Sequence, residues 1–294
     1  MTGELITRRV EPEPPARGEV DDREFVRHLR GSRLFLVGGG ILLLWALVAV
    51  FWPFVVPYDP QAVGAGAPYA RPSGSFWFGT DNLGRDVFSR VLAGARPVLT
   101  VAPLAALLGL VLGTITGLMA GYYRGWVDNV AMRVVDAMLG FPLIILAALV
   151  LAALGVSVAN VIIVIGIAFM PPVARTVRAA VLVEREREYV QAARLRGQRG
   201  LSVMYREILP NVRRPLAVEG SVRFGYAVFT SATLSFLGLG LQQPSPDWGL
   251  TISVGRQFLE LAPWMVLFPV AALASLVVAV TLMGEGLRTV LEEA

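Results

Sequence analysis

The sequence predicts an all-α, polytopic membrane protein with about six transmembrane helices. Apolar runs recur at about 20 residues, the length a helix needs to cross ~30 Å of hydrocarbon. Charges collect in blocks between those runs, and arginine is divided unequally between alternate connecting segments.

Composition narrows the class first. Only 16% of the 294 residues are charged, against about a quarter in a soluble domain. Ala137 to Met170 carries no charge at all. Cysteine is absent, which excludes disulfides and thiolate metal sites. His28 is the single histidine, so a histidine-based triad or transition-metal centre is disfavoured. Neither a catalytic residue nor a bound cofactor or metal is expected. All 26 basic residues are arginine, and a chain without lysine has no Gly-x-x-x-x-Gly-Lys phosphate loop. A pI near 9.8 would suit nucleic acid, but in a membrane chain arginine-rich loops beside anionic lipid explain it more simply.

Six apolar spans follow, at roughly 34–57, 97–121, 131–154, 158–175, 216–241 and 263–287. Pro171 and Pro172 interrupt the fourth, which a membrane helix tolerates where neighbours satisfy the freed carbonyls. With the N-terminus inside, twenty arginines lie in inner segments and five in outer ones, which also puts the C-terminus in the cytoplasm. The expected location is therefore the cell membrane, multi-pass, with both termini cytoplasmic. Residues 1–33 read as a cytoplasmic tail and interfacial helix, and 34–294 as the transmembrane domain. The tail's seven arginines and seven acids are unlike a secretory signal. Within 21–33, Phe25, Val26 and Leu29 share one helix side among arginines, as in a helix lying on the inner surface. Residues 1–20, with Glu-Pro-Glu-Pro-Pro at 11–15, read as disordered.

Two loops exceed mere connectors: an outer one at 58–96 and an inner one at 176–215. The inner loop predicts a helix over 181–196, breaks at Gly197 and Gly200, a further turn or two to Leu209, and a stop at Pro210. It is either a solvated amphipathic connector or a rigid lever across the base of a bundle.

Its spacing resembles the cytoplasmic signature of importer-type ABC permeases. That pattern is Glu-Ala-Ala, three residues, Gly, then an aliphatic-Leu-Pro. Here it stands as Gln191-Ala192-Ala193, Gly197 and Ile208-Leu209-Pro210-Asn211. Gln191 replaces the glutamate, and Glu207 stands where relatives often have histidine. Three further blocks resemble the C-type subunits of dipeptide and oligopeptide importers. They are GTDNLGRDVFSRVLAGAR at 79–96, MRVVDAMLGFP at 132–142, and LSFLGLGLQQPSPDWGLTI at 234–252 followed by APWMVLFP and GEGLR.

The resemblance implies a type I ABC importer permease fold and a transport subunit rather than an enzyme. It implies a homologous B-type permease, two ATPase domains carrying ATP and Mg, and an extracytoplasmic solute-binding protein. The coupling residues it implies are Gln191, Ala192, Ala193, Arg194, Gly197, Gln198, Leu201, Leu209 and Pro210, with the small ones admitting a partner surface closely. Ser231 and Thr281 depart from residues common in relatives; with Ser235 they are candidates for the translocation path. The implied cargo is di- or oligopeptide, with nickel chelate, haem, glycoside or another small solute as alternatives. An ATPase-independent secondary transporter or channel is the rival class. The charged inner loop and the lack of a carboxylate relay in the spans weigh against it.

Asp81, Arg85 and Asp86 read as an ion-pair and capping set, or else a cluster for charged substrate. Glu219 with Arg223, and Arg133 with Asp136, have spacings that suit intrahelical salt bridges. Gly238-x-Gly240 reads as a helix end or close packing. Small residues in 100–121 and 271–284 suit tight helix contacts in lipid.

Overall fold

A computed structural model describes residues 22–293, with side chains described from Arg27 to Leu291. The tail expectations for 1–21, and for the Phe25 and Val26 side chains, lie outside that range. The described residues begin with two helices, α1 (Asp22–Gly31) and α2 (Arg33–Val55), joined at Ser32, whose hydroxyl accepts from Phe35 N. Leu36, Leu43 and Phe54 leave most of α2 apolar and exposed, as a lipid-facing helix requires.

The next helix, α3 (Val87–Tyr123), starts ten residues before the expected second span. Asp86 explains this. Its carboxylate accepts from both the backbone N and the hydroxyl of Ser89, capping a first turn whose Val87, Arg90 and Val91 are buried. The outer loop therefore ends at Asp86. Asp81 folds that loop on itself, accepting from Leu83 N and Arg85 N and pairing with Arg85 Nε at 2.6 Å. The capping reading of this cluster thus matches the geometry.

The third predicted span is broken. Helices α4 (Gly125–Leu139) and α5 (Leu143–Leu154) meet at 90°. Pro142 accounts for the break: a residue before proline is disfavoured in the α region, and proline cannot donate to the preceding turn. By contrast α6 (Val158–Glu184) runs unbroken through Pro171 and Pro172 and passes the expected end of the fourth span.

Against α6, α3 sets a seam of glycines. A Cβ at Gly113 would lie 2.5 Å from that of Val173, one at Gly117 2.7 Å from the Ala174 carbonyl oxygen, and one at Gly121 2.8 Å from Val181 Cβ. Absent side chains let the two backbones approach and gain dispersion contact where the hydrophobic effect cannot help.

After α6 come four short pieces: α7 (Glu188–Leu195), α8 (Gly200–Val203), a π turn (Met204–Ile208) and α9 (Leu209–Asn211). The expected 181–196 helix is thus split at Arg185–Arg187. Pro210 does not end the helical run either. Leu209 N reaches back five residues to Met204 O, and Val212 N still finds Ile208 O at 3.1 Å. The wider turn accommodates a ring that would collide with the carbonyl four residues back.

The chain closes with α10 (Arg213–Phe236), α11 (Trp248–Gly255) and α12 (Trp264–Glu293). Gly238, with φ +79°, ends α10, as read from the sequence. Trp248 lies buried at the centre, its indole N–H on Val91 O and its ring edge-on to Trp45 at 4.8 Å. Among the described residues α2, α3, α6 and α12 are long and apolar enough to cross a membrane, and the α4–α5 pair makes five if it is one span. The fifth predicted span, α10, is 24 residues long but carries Arg213, Arg214, Glu219 and Arg223.

Candidate docking segment

The pieces α7 to α9 fold onto the shared end of α3 and α6. Val190, Ala193, Val203, Met204, Ile208 and Val212 are buried there with Leu118, Val173, Val177 and Val181. Polar contacts fix the outer edge. Arg185 Nη1 donates to Tyr122 O at 2.7 Å, and the Arg194 guanidinium lies 4.7 Å over the Tyr122 ring. Tyr189 donates to Glu184 at 2.8 Å; burial, then that bond and the carboxylate's charge, push its phenol well above the usual range. The segment is thus held by side-chain packing on two long helices.

Gly197 ends α7 with φ +72°. Its N–H donates to Arg194 O at 2.9 Å and the next, Gln198 N, to Ala193 O at 3.3 Å, the paired bonds of a Schellman cap. A Cβ there would meet nothing within 4 Å, so backbone conformation alone calls for glycine.

The outward surface gathers around this turn. Leu195 is 90% exposed and Leu201 61%, with Tyr205, Arg196, Arg199 and Arg206 also exposed. Of the residues implied by resemblance, Gln191, Gly197, Leu201 and Pro210 lie at the surface. Ala192, Arg194, Gln198 and Leu209 are half-buried. Ala193 is fully buried in the segment's own core, so its small size serves internal packing and not the approach of a partner. Sequence reasoning passed over Leu195 and Tyr205. Leu195 adjoins the cap on the polar side of α7, and an apolar residue on a polar side was the available signal.

Ion pairs surround the same end. Arg178 meets Asp128 through two bonds, and Glu219 holds Arg223 Nε at 2.7 Å as expected, while also accepting from Thr176 at 3.4 Å. Asp136 pairs with Arg175 at 2.6 Å across α4 and α6, in place of the expected bond to Arg133.

The three path candidates are dispersed. Ser231 and Ser235 are 5% and 3% exposed. Ser231 donates to Val228 O. Both therefore face the chain's own helices, whereas Val222, Tyr226 and Phe229 form the exposed side of α10. Thr281 is exposed on α12 and donates to Val277 O. Among the described residues, no group of three His, Asp or Glu is placed to hold a metal ion.

Comparison with known proteins places this geometry in context. The family described as binding-protein-dependent transport system inner membrane component matches residues 85–293, and the N-terminal TM domain of oligopeptide transport permease C matches residues 23–72. The dipeptide transport system permease protein DppC of Alkalihalophilus pseudofirmus is 39% identical, over 92% of this chain and 89% of that protein. The glutathione transport system permease protein GsiD of Pectobacterium atrosepticum is 38% identical, over 92% and 90%. A putative peptide transport system permease protein of Brucella suis is 42% identical, over 90% of each. The fold is that of a chain in the inward-facing MetNI methionine ABC transporter, with a TM-score of 0.56 and 18% identity over 68% of this chain and 96% of that one.

Proposed function

This chain belongs to the family of binding-protein-dependent transport system inner membrane components, and we propose that it couples ATP hydrolysis on partner subunits to the passage of small peptides. It is the membrane-spanning permease subunit of an ABC importer for peptides. The observation that carries the reading is near full-length likeness to relatives described as dipeptide, glutathione and peptide permeases. None of those three is described as a carrier of nickel chelates, haem or glycosides.

The proposed assembly pairs this chain with a homologous B-type permease, two ATPase domains that bind ATP and Mg, and an external solute-binding protein. The docking segment seats on an ATPase in the cytoplasm, with Leu195, Leu201 and the exposed arginines around Gly197 as the contact. ATP-driven closure of the ATPases moves the segment and, through its packing on α3 and α6, rocks the spans between inward and outward openings. The absence of lysine supports placing the phosphate chemistry on a partner.

Reconstitution tests this. Vesicles containing both permeases and the ATPases should take up a dipeptide only with ATP and binding protein, and this chain alone should hydrolyse no ATP. Uptake by vesicles lacking the ATPases, or ATPase activity of the purified chain, would sink the reading.

A further inference from the structure

Helices α4, α5, α6 and α10 enclose a groove at the α4–α5 break. Its cavity, about 330 Å³, is lined by Met138, Phe141, Phe169, Pro172, Tyr226 and Thr230 and by one charged side chain, Arg223. That volume sits at the lower end of the about 300–1,000 Å³ found for ligand clefts. Just beyond it, Arg175 and Asp136 form their ion pair with side chains 54% and 59% exposed. The pair lies at the end read as cytoplasmic, where water or a partner can meet it, so the groove opens beside a polar face.

Arg223 is set as a receptor for an anion. Glu219 holds its Nε at 2.7 Å, and the guanidinium carbon lies 5.4 Å from the Tyr226 ring centre and 5.9 Å from that of Phe169. The Nη atoms have no hydrogen bond from the described residues. A guanidinium fixed by one edge presents the remaining donors in the planar fork that matches a carboxylate. The neighbouring glutamate tempers its charge, which a path requires: binding must be favourable enough to enter and weak enough to leave. The apolar walls provide room for a side chain.

We propose that this groove is the part of the cargo path formed by this chain, and that Arg223 receives the carboxylate of a small peptide. The proposal rests on the peptide-importer reading above and adds the residue that recognises the cargo. It replaces Ser231 and Ser235, which are buried, with an open face of the same helix.

The test uses the reconstituted complex with labelling read on this chain, in which an introduced cysteine is the only thiol. Tyr226→Cys, on the 56% exposed side chain, should react with a water-soluble methanethiosulfonate reagent, and a dipeptide with binding protein and ATP should slow that reaction several-fold. Arg223→Gln should lower dipeptide uptake about tenfold or more, the scale of one charge-assisted hydrogen bond. Glu219→Gln combined with Arg223→Gln leaves no lone buried charge, and it should assemble and show the same loss. An unreactive thiol, a reaction indifferent to peptide, or uptake by the assembled double variant within twofold of wild type would each overturn the groove assignment. If the substituted permeases do not assemble, thiol protection decides alone. Failure of the wild-type complex to take up peptide would instead overturn the functional reading itself.

Discussion

Arg178 and Asp128 bind edge to edge: the Nε and Nη2 of the guanidinium each donate to a different oxygen of the carboxylate, the latter at 2.6 Å. Asp128 stands in the first turn of α4 and Arg178 in the final third of α6, so this pair fixes the broken helix against the long one.

The first prediction follows from that geometry. Arg178→Lys keeps the charge but loses the paired bonds, and should destabilise the chain by about 1–2 kcal/mol. Asp128→Ala and Arg178→Ala should show a coupling of similar size in a double-mutant cycle, read from thermal unfolding in detergent. Strictly additive effects would show that the pair contributes nothing to the α4–α6 contact.

The glycine seam gives the second. Gly113→Leu forces a side chain into space held by Val173 and the Met170 carbonyl, both backbones being unable to yield. The overpacking should cost about 1–3 kcal/mol or more and reduce the recovery of folded chain. Gly40→Leu is the matched control, since a Cβ there meets nothing within 4 Å. Equal behaviour of the two variants in size-exclusion profiles would refute close packing at the seam.

What the sequence made legible divides along physical lines. Long apolar runs and the arginine blocks located the helices, because lipid leaves few alternatives to a continuous helix. Local signals misled where tertiary packing decides. Pro171 and Pro172 suggested an interruption yet sit within α6, while Pro142, read as the middle of a span, breaks it. The start of α3 at Val87 was hidden because its first turn carries Arg90, which is polar in sequence but buried in the fold. The spacing around Gly197 singled out the segment that folds onto α3 and α6. Its most exposed large apolar residue, Leu195, was not singled out, because burial depends on which face meets α3 and α6.

The Schellman cap at Gly197 supports a third prediction. Gly197→Ala keeps the surface open but places a Cβ on a backbone at φ +72°, a strain of about 1 kcal/mol. Gly197→Asn should be milder, since asparagine tolerates this region. Gly197→Arg adds bulk and charge beside Leu195 and Leu201. It should insert normally but lose uptake and weaken association with the ATPases. Wild-type transport by Gly197→Arg would remove the docking role from this turn.

A fourth concerns Asp247, which caps α11 by accepting from Leu250 N at 2.9 Å. Burial raises its carboxyl above the ordinary value. A raised folded value means that the contribution to stability is fully present below the unfolded value and is lost as pH rises through the folded one. Asp247→Asn keeps an acceptor without the charge. Its stability relative to wild type should therefore increase from acidic toward neutral pH, whereas Asp247→Ala should lose about 1 kcal/mol of capping throughout. Unfolding midpoints measured across that range check the sign, and a gap between wild type and Asp247→Asn that does not change with pH would contradict it.

The last prediction tests orientation, for which the arginine distribution is the argument. Twenty arginines in the segments read as inner, against five in those read as outer, favour a cytoplasmic docking segment because short arginine-rich loops are poorly translocated. The absence of cysteine makes single-site labelling clean. Ser73 and Leu195 are both exposed, the first in the outer loop and the second at the tip of α7. Ser73→Cys should react in sealed cells with an impermeant thiol reagent added outside. Leu195→Cys should react only once the membrane is opened. Expression without the ATPases removes protection by a docked partner, so silence at Leu195→Cys in sealed cells then reports sidedness alone. Labelling of Leu195→Cys from outside would invert the topology and place the segment where no ATPase could reach it.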